Sequence, residues 1–294
     1  GLYWHEGGKW MFNQNGWDVG YNGILWVAVG QGNSHHFGYS FDGINWVGLG
    51  KTLFTTRGLA VGWNGSYWLV GGRGGSSLLG ISYDGINWVS LGNNSVDAKV
   101  MGIDVNSSLY VATGEGTNNL VYSYDLNNWN AVSPSPFQRG RCVLWTGRRW
   151  FAGGSIGTGT STLVYSDDGI NWIDVSNANN LAQGSTSVFS TVVNKVASNG
   201  STIVAVGKGG NTIAYSKDHG LSFTGLGTSY LTIEGFAVEW CGTHFIAGGT
   251  GNQMFKSKDG INWTAIATPV LLSTNGITWN KSIYGIFTNI GETL

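Results

Sequence analysis

Six of the eleven aspartates in this 294-residue chain share one context: Asp42, Asp84, Asp125, Asp168, Asp218 and Asp259 each stand two residues after a serine. Such a carboxylate could act as a general acid or base. In a turn, however, it accepts hydrogen bonds from nearby backbone N–H groups, and a following glycine supplies positive φ. A group needed in every repeat is structural, so these six are expected to hold turns. The other candidates are basic. Arg57, Lys99 and Arg139 occur some forty residues apart, and Glu234 falls in the same register further on. A cationic cluster of this kind can hold a carboxylate or sulfate group, arginine by paired hydrogen bonds. His35, His36 and Arg73 lie in polar, glycine-rich segments and join them as candidate ligand-binding residues. The two histidines are adjacent, without the i, i+4 spacing or cysteine partners of a zinc site. No metal and no cofactor is expected. Cys142 and Cys241 sit in repeats too far apart for a disulfide and are expected to be buried thiols.

The elements that must position these groups repeat. Tyr39-Ser-Phe-Asp-Gly-Ile-Asn-Trp46 returns ending at Trp88, Trp129, Trp172 and Trp263, and in a form one residue longer ending at Phe223. Tyr3 to Trp10 keeps the same Tyr-to-Trp spacing, with Glu6 in place of the aspartate. From Trp10 the terminal aromatics follow at gaps of 36, 42, 41, 43, 51 and 40, and the return from Trp263 around to Trp10 is 41. The period therefore closes on itself after seven units. Before each box come two strand-like stretches, clearest in Gly58 to Trp63 and Trp68 to Gly72, around Asn64-Gly65, a dipeptide typical of two-residue hairpins. Four strands and about forty residues per unit are the numbers of a β-propeller.

The expected fold is thus all-β: one seven-bladed β-propeller over residues 1–294, with four-stranded antiparallel blades. The last blade is formed by 275–294 plus 1–12, so that N-terminal strands close the ring and leave no open edge. Of the fifteen tryptophans, all but Trp4 and Trp17 occupy repeat positions, which assigns them to packing. The second-to-third-strand loops and the connections between units share one face, opposite the boxes. Arg57, Lys99, Arg139 and Glu234 should crown the channel mouth on that loop face.

Composition agrees. Charged residues are 11% of the chain against 49 glycines, so Ser, Thr, Asn and Gly must supply the polar surface. A net charge of −1 gives no global field for nucleic acid. No apolar run approaches the length of a membrane span, so no membrane insertion is expected. The chain begins at Gly1, which fits a processed protein or part of a larger chain or assembly. Sequons at Asn64, Asn93, Asn106, Asn199, Asn262 and Asn280 permit glycosylation.

Ser216 to Phe223 matches the Asp-box, or BNR, repeat, and the other copies look like its one-residue-shorter form. The chain resembles the Asp-box propellers of sialidases, and more closely the Asn-Gly-plus-Asp-box repeat proteins of phages and large DNA viruses. That resemblance speaks for the fold, since the box serves enzymes, lectins and scaffolds alike; the function expected from the residues is a recognition module without catalysis, taking a glycan or protein partner on the loop face. The setting would be extracellular: a virion, phage fibre or cell surface. A structural or assembly propeller is the first alternative and a diverged sialidase-like glycoside hydrolase the second. The Arg-Ile-Pro motif of sialidases is absent, and no paired carboxylates at one site are evident. The chain is therefore expected not to be an enzyme.

Overall fold

The computed structural model describes residues 11–92, 98–156, 161–175, 188–251, 253–266, 274–279 and 284–288. Among them the regular structure is β-strand. The strands form six consecutive four-stranded antiparallel meanders and one two-stranded hairpin. The first unit shows the pattern: β1 (Asn15–Tyr21), β2 (Trp26–Gln31), β3 (Phe37–Ser40) and the short β4 (Val47–Gly48) pair in that order. The first strands of the later units are β5 (Arg57–Trp63), β9 (Lys99–Val105), β13 (Arg139–Trp145), β17 (Val192–Ser198), β21 (Gly235–Trp240) and β25 (Thr274–Trp279). Each neighbours the next, and β25 neighbours β1, so the seven first strands surround one axis.

The boxes end the third strands, each built on the same bonds. Asp42 Oδ1 accepts from the backbone N–H groups of Ile44 (2.8 Å) and Asn45 (2.7 Å), and Oδ2 accepts from Asn45 Nδ2 (2.7 Å). Gly43 N donates to Ser40 Oγ at 2.9 Å, and Trp46 Nε1 donates back to Gly43 O at 3.1 Å. The bonds from Asn45 and Ile44 hold the Asp42 carboxyl well below the usual carboxylate range. Asp84, Asp125, Asp168 and Asp259 repeat the pattern, and Asp218 does so through Ser222. The glycine of the box has positive φ, +75° at Gly43; in the third unit Leu126 takes that conformation at φ 65°.

The hairpins differ in one respect from the expected Asn-Gly turn. Asn64 N and Tyr67 O close the turn at 3.2 Å, so its two central residues are Gly65 and Ser66. Gly65 carries the positive φ, +97°. Asn64 instead uses its side chain: Oδ1 accepts from Ser66 N at 2.9 Å and Tyr67 N at 2.8 Å. Asn22, Asn106 and Asn199 do the same. Three of the sequon asparagines are thus turn-forming residues, and a fourth, Asn262, completes a box.

Packing between units is apolar. Trp68 is fully buried with Leu25 and Val27 of the preceding unit and Trp63 and Trp88 of its own. Phe12, Phe54, Phe137, Phe189 and Leu231, each on the chain entering a first strand, are likewise buried. At the end of the 1–12 segment, Met11 and Phe12 lie outside any strand and pack into the first unit's core. Residues 1–10, expected to supply the last blade's outer strands, lie outside the described residues, as do Asn93 and Asn280. Only β25 and β26 (Tyr284–Thr288) represent that unit. Both cysteines are free and buried.

Candidate functional site

Every first strand carries a β-bulge at one register position, four residues before the strand's last residue. A bulge adds an unpaired residue and re-aims it. The seven bulged residues are Trp17, Leu59, Met101, Arg141, Asn194, Phe236 and Asn275, and all seven line one axial cavity of about 320 Å³. Because the bulge breaks the alternation, successive residues also reach it: Trp17 and Asp18, Arg141 and Cys142, Asn194 and Lys195. The cavity wall is therefore composed of residues that differ from unit to unit, within a frame that repeats.

Of the charged register expected from sequence, Glu234 lines the cavity. Arg57, Lys99 and Arg139 begin β5, β9 and β13, and Glu234 immediately precedes β21. They are not equivalent. Lys99 Nζ lies 2.9 Å from Glu115 Oε1, and Arg139 Nε lies 3.4 Å from the same oxygen. Burial depresses the Lys99 pKa, with Arg57 and Arg141 adding repulsion and Glu115 opposing it. Glu115 is itself held low by Lys99, Arg139 and Arg141 against the effect of its burial. On the opposite side, Glu234 accepts from Asn194 Nδ2 at 2.9 Å and faces Lys208 Nζ at 3.5 Å. Arg73 is exposed and cross-strand from Arg57.

The two histidines do not join this cluster. His36 is 1% exposed, with Nδ1 2.6 Å from Phe54 O, where it ties the first unit to the second. His35 Nδ1 accepts from Gly50 N at 2.9 Å. Both serve loop structure, and neither lines the cavity.

Sequence reasoning passed over Arg141 and Trp17. Trp17 had one available signal, since it fits no repeat position. Arg57 Cζ sits 5.7 Å from the centre of its ring, within range of a cation–π contact. Three donors here are buried with no hydrogen-bond partner among the described residues: Arg57 Nε, Arg141 Nε and Trp17 Nε1. Arg141 Nη1 reaches Met101 Sδ at 4.0 Å, a weak acceptor. Deeper in the ring, Lys195 of β17 crosses to Asp18 of β1, with Nζ 3.3 Å from Oδ1. Among the described residues no group of three His, Cys, Asp or Glu side chains is arranged to hold a metal ion. No helix there is long and apolar enough to cross a membrane.

No model of a known protein family matches the chain, and no curated protein matches it in sequence. Solved structures do. The WD40 β-propeller domain of Doa1 superposes with TM-score 0.62 at 11% identity, over 98% of this chain and 92% of that one. The GH74 xyloglucanase from Xanthomonas campestris gives TM-score 0.67 at 12% identity, over 95% of this chain and 51% of the enzyme. The GH74 enzyme of Niastella koreensis gives 0.65 at 14%, over 96% and 44%. This chain spans about half the length of those two enzymes. At such identities the likeness establishes the fold: an all-β propeller of four-stranded antiparallel sheets.

Proposed function

We propose that the chain is a single seven-bladed propeller of Asp-box type over residues 1–294, with its last blade completed from the N terminus. Its loop face acts as a non-catalytic recognition site for a glycan, displayed on a virion, phage fibre or cell surface. One observation carries this reading: the axial position that repeats in geometry does not repeat in chemistry. Boxes, hairpins and inter-unit anchors recur because every blade needs them. The bulged residues run through Trp, Leu, Met, Arg, Asn and Phe to a second Asn around one cavity, and no packing requirement common to the blades asks for that variety. Mixed aromatic and polar walls suit a sugar, whose ring faces stack while its hydroxyls hydrogen-bond. The two loop-face glutamates already have cationic neighbours, Glu115 with Lys99 and Glu234 with Lys208. That supports binding over glycoside cleavage by a carboxyl pair.

A second reading, an assembly propeller with a protein partner, is favoured by the box face. Phe41, Tyr83 and Tyr124 occupy one repeat position in three successive units and are 64%, 75% and 61% exposed. A glycan array with wild type, Arg57→Ala and Arg139→Ala separates the two. The expected result is binding by wild type that the Arg57 variant loses; an array blank for every glycan sinks the lectin reading. A fluorogenic glycoside screen tests for an enzyme, and turnover abolished by Glu234→Gln would overturn the non-catalytic assignment.

A further inference from the structure

Resting on the reading of the channel mouth as a recognition site, we propose that its ligand carries an oxyanion, a sulfate, phosphate or carboxylate group, seated by Arg57 and Arg141 with the indole N–H of Trp17 beside them. The cations near the cavity divide into two sets. Lys99 and Arg139 share the carboxylate of Glu115, at 2.9 and 3.4 Å. Arg57 and Arg141 have no ion pair of this kind among the described residues, and each has a buried, unpartnered Nε. Arginine stays charged and brings five N–H donors, so an unmatched guanidinium is short of acceptors and not of protons. Leaving a buried donor unmatched costs the free energy of its lost hydration.

Trp17 supplies an independent observation. It lines the same cavity, its own N–H is buried without a partner, and Arg57 lies over its ring. Two unmatched donors on the cavity wall, Arg141 Nε and Trp17 Nε1, with the unmatched Arg57 guanidinium against the Trp17 ring, describe a site for an acceptor-rich group. Electrostatics select its charge. Arg57 is disfavoured first by burial and then by the like charges of Arg73 and Arg141, with Glu115 partly offsetting them. Arg141 is disfavoured by burial and by Arg139, with Glu115 and Glu234 opposing. An anion would relieve that repulsion and supply the acceptors that the two guanidinium groups lack, in the geometry in which guanidinium grips two oxygens.

Calorimetric titration with sodium sulfate, sodium phosphate and sodium acetate, at ionic strength held constant with chloride, tests the site. Wild type should bind one equivalent saturably, and the arm with the highest affinity identifies the group. Arg57→Gln and Arg141→Gln should each weaken binding about tenfold, the loss expected for one charge-assisted contact. Glu115→Gln should tighten binding, because it releases Lys99 and Arg139 to the anion. If Arg141→Gln does not fold, the opposite responses of Arg57→Gln and Glu115→Gln carry the test. No saturable binding of any of the three salts, or equal affinity in all variants, overturns the proposal. Neutral glycans bound on the array without any anion site would leave the recognition reading intact and remove this one. Saturable, Arg57-dependent sulfate binding with a blank array would do the reverse.

Discussion

Asp42 shows how a residue that looks catalytic is committed elsewhere. Its two oxygens receive Ile44 N, Asn45 N and Asn45 Nδ2, all within 2.8 Å. A carboxylate so engaged is a poor base, and its low pKa has the sign of a turn-holding group. The turn is exposed, so solvent discounts the electrostatic part. Asp42→Ala is expected to cost about 1 kcal/mol, the range of a lost helix N-cap that makes similar bonds. Asp42→Asn keeps the acceptor and should cost less. Adjacent boxes do touch, since Lys217 Nζ donates to Asp259 O at 3.1 Å, but Asp42 and Asp259 belong to the first and sixth units, so Asp42→Ala and Asp259→Ala should add in urea unfolding; a large non-additive term would mean that the boxes communicate. Leu126 is the exception among the box residues. It takes φ 65° where the other short boxes have glycine, yet it is 6% exposed within a core cluster. Leu126→Gly removes the conformational penalty of about 1 kcal/mol but also a buried side chain worth about 2 or more, so net destabilisation is expected.

At the scale of the element, two tryptophans make the contrast. Trp68 is fully buried at the junction of two units. Trp68→Ala should cost about 3–5 kcal/mol in urea unfolding. Trp17 stands on the bulge and faces the channel, so Trp17→Ala should change stability far less while impairing any ligand binding. Equal losses at both positions would contradict the division between frame and site. The same contrast explains what was legible. Trp68 recurs as Trp26 and Trp150, and a spacing repeated around the chain reveals strand, turn and blade without reference to any one residue. The shared register of Arg57, Lys99, Arg139 and Glu234 at the start of the first strands followed from counting back along that repeat. The inward aim of Trp17 and Arg141 did not. A strand alternates its faces, and an extra residue reverses the parity of everything before it. Nothing in the residues from Gly58 to Ala60 announces a bulge. The backbone bonds of His35 and His36 were hidden for a different reason: a polar loop shows its composition but not which side chains turn inward to carbonyls and amides of the next segment.

For the molecule as a whole, the channel charges set the dependence of stability on pH. Lys195 bridges from β17 to Asp18 across the ring. Burial works against its ammonium, but Asp18 and Glu239 outweigh that and raise its pKa, so it stays charged at acid and neutral pH. Enclosure within the ring pushes the Glu239 carboxyl up from 4.5 to about 7 and that of Asp104 up from 3.8 to about 6, with Lys195 opposing the rise in both. Both side chains retain some contact with solvent, which moderates the size of the effect and leaves its direction. A carboxyl whose native pKa lies above its unfolded value binds more protons in the native state, so stability falls as pH rises from about 4 to about 7. The box aspartates act oppositely: their pKa values are depressed, and the stability they contribute is complete above about pH 4 and lost as pH falls through their native values. The two sets together place maximal stability near pH 5, with a decline toward about pH 8. Asp104→Asn gives up the 2.8 Å bond that Val105 N donates to one oxygen but keeps the other as acceptor for Trp145 N, bound at 2.6 Å. The double variant Asp104→Asn, Glu239→Gln should therefore fold and abolish the decline between about pH 5 and 8, while leaving the acid-side loss unchanged. Urea midpoints measured across that range decide the matter. A wild type that gains stability up to pH 8, or a decline that survives in the double variant, would show that the enclosed carboxyls do not govern the alkaline limb.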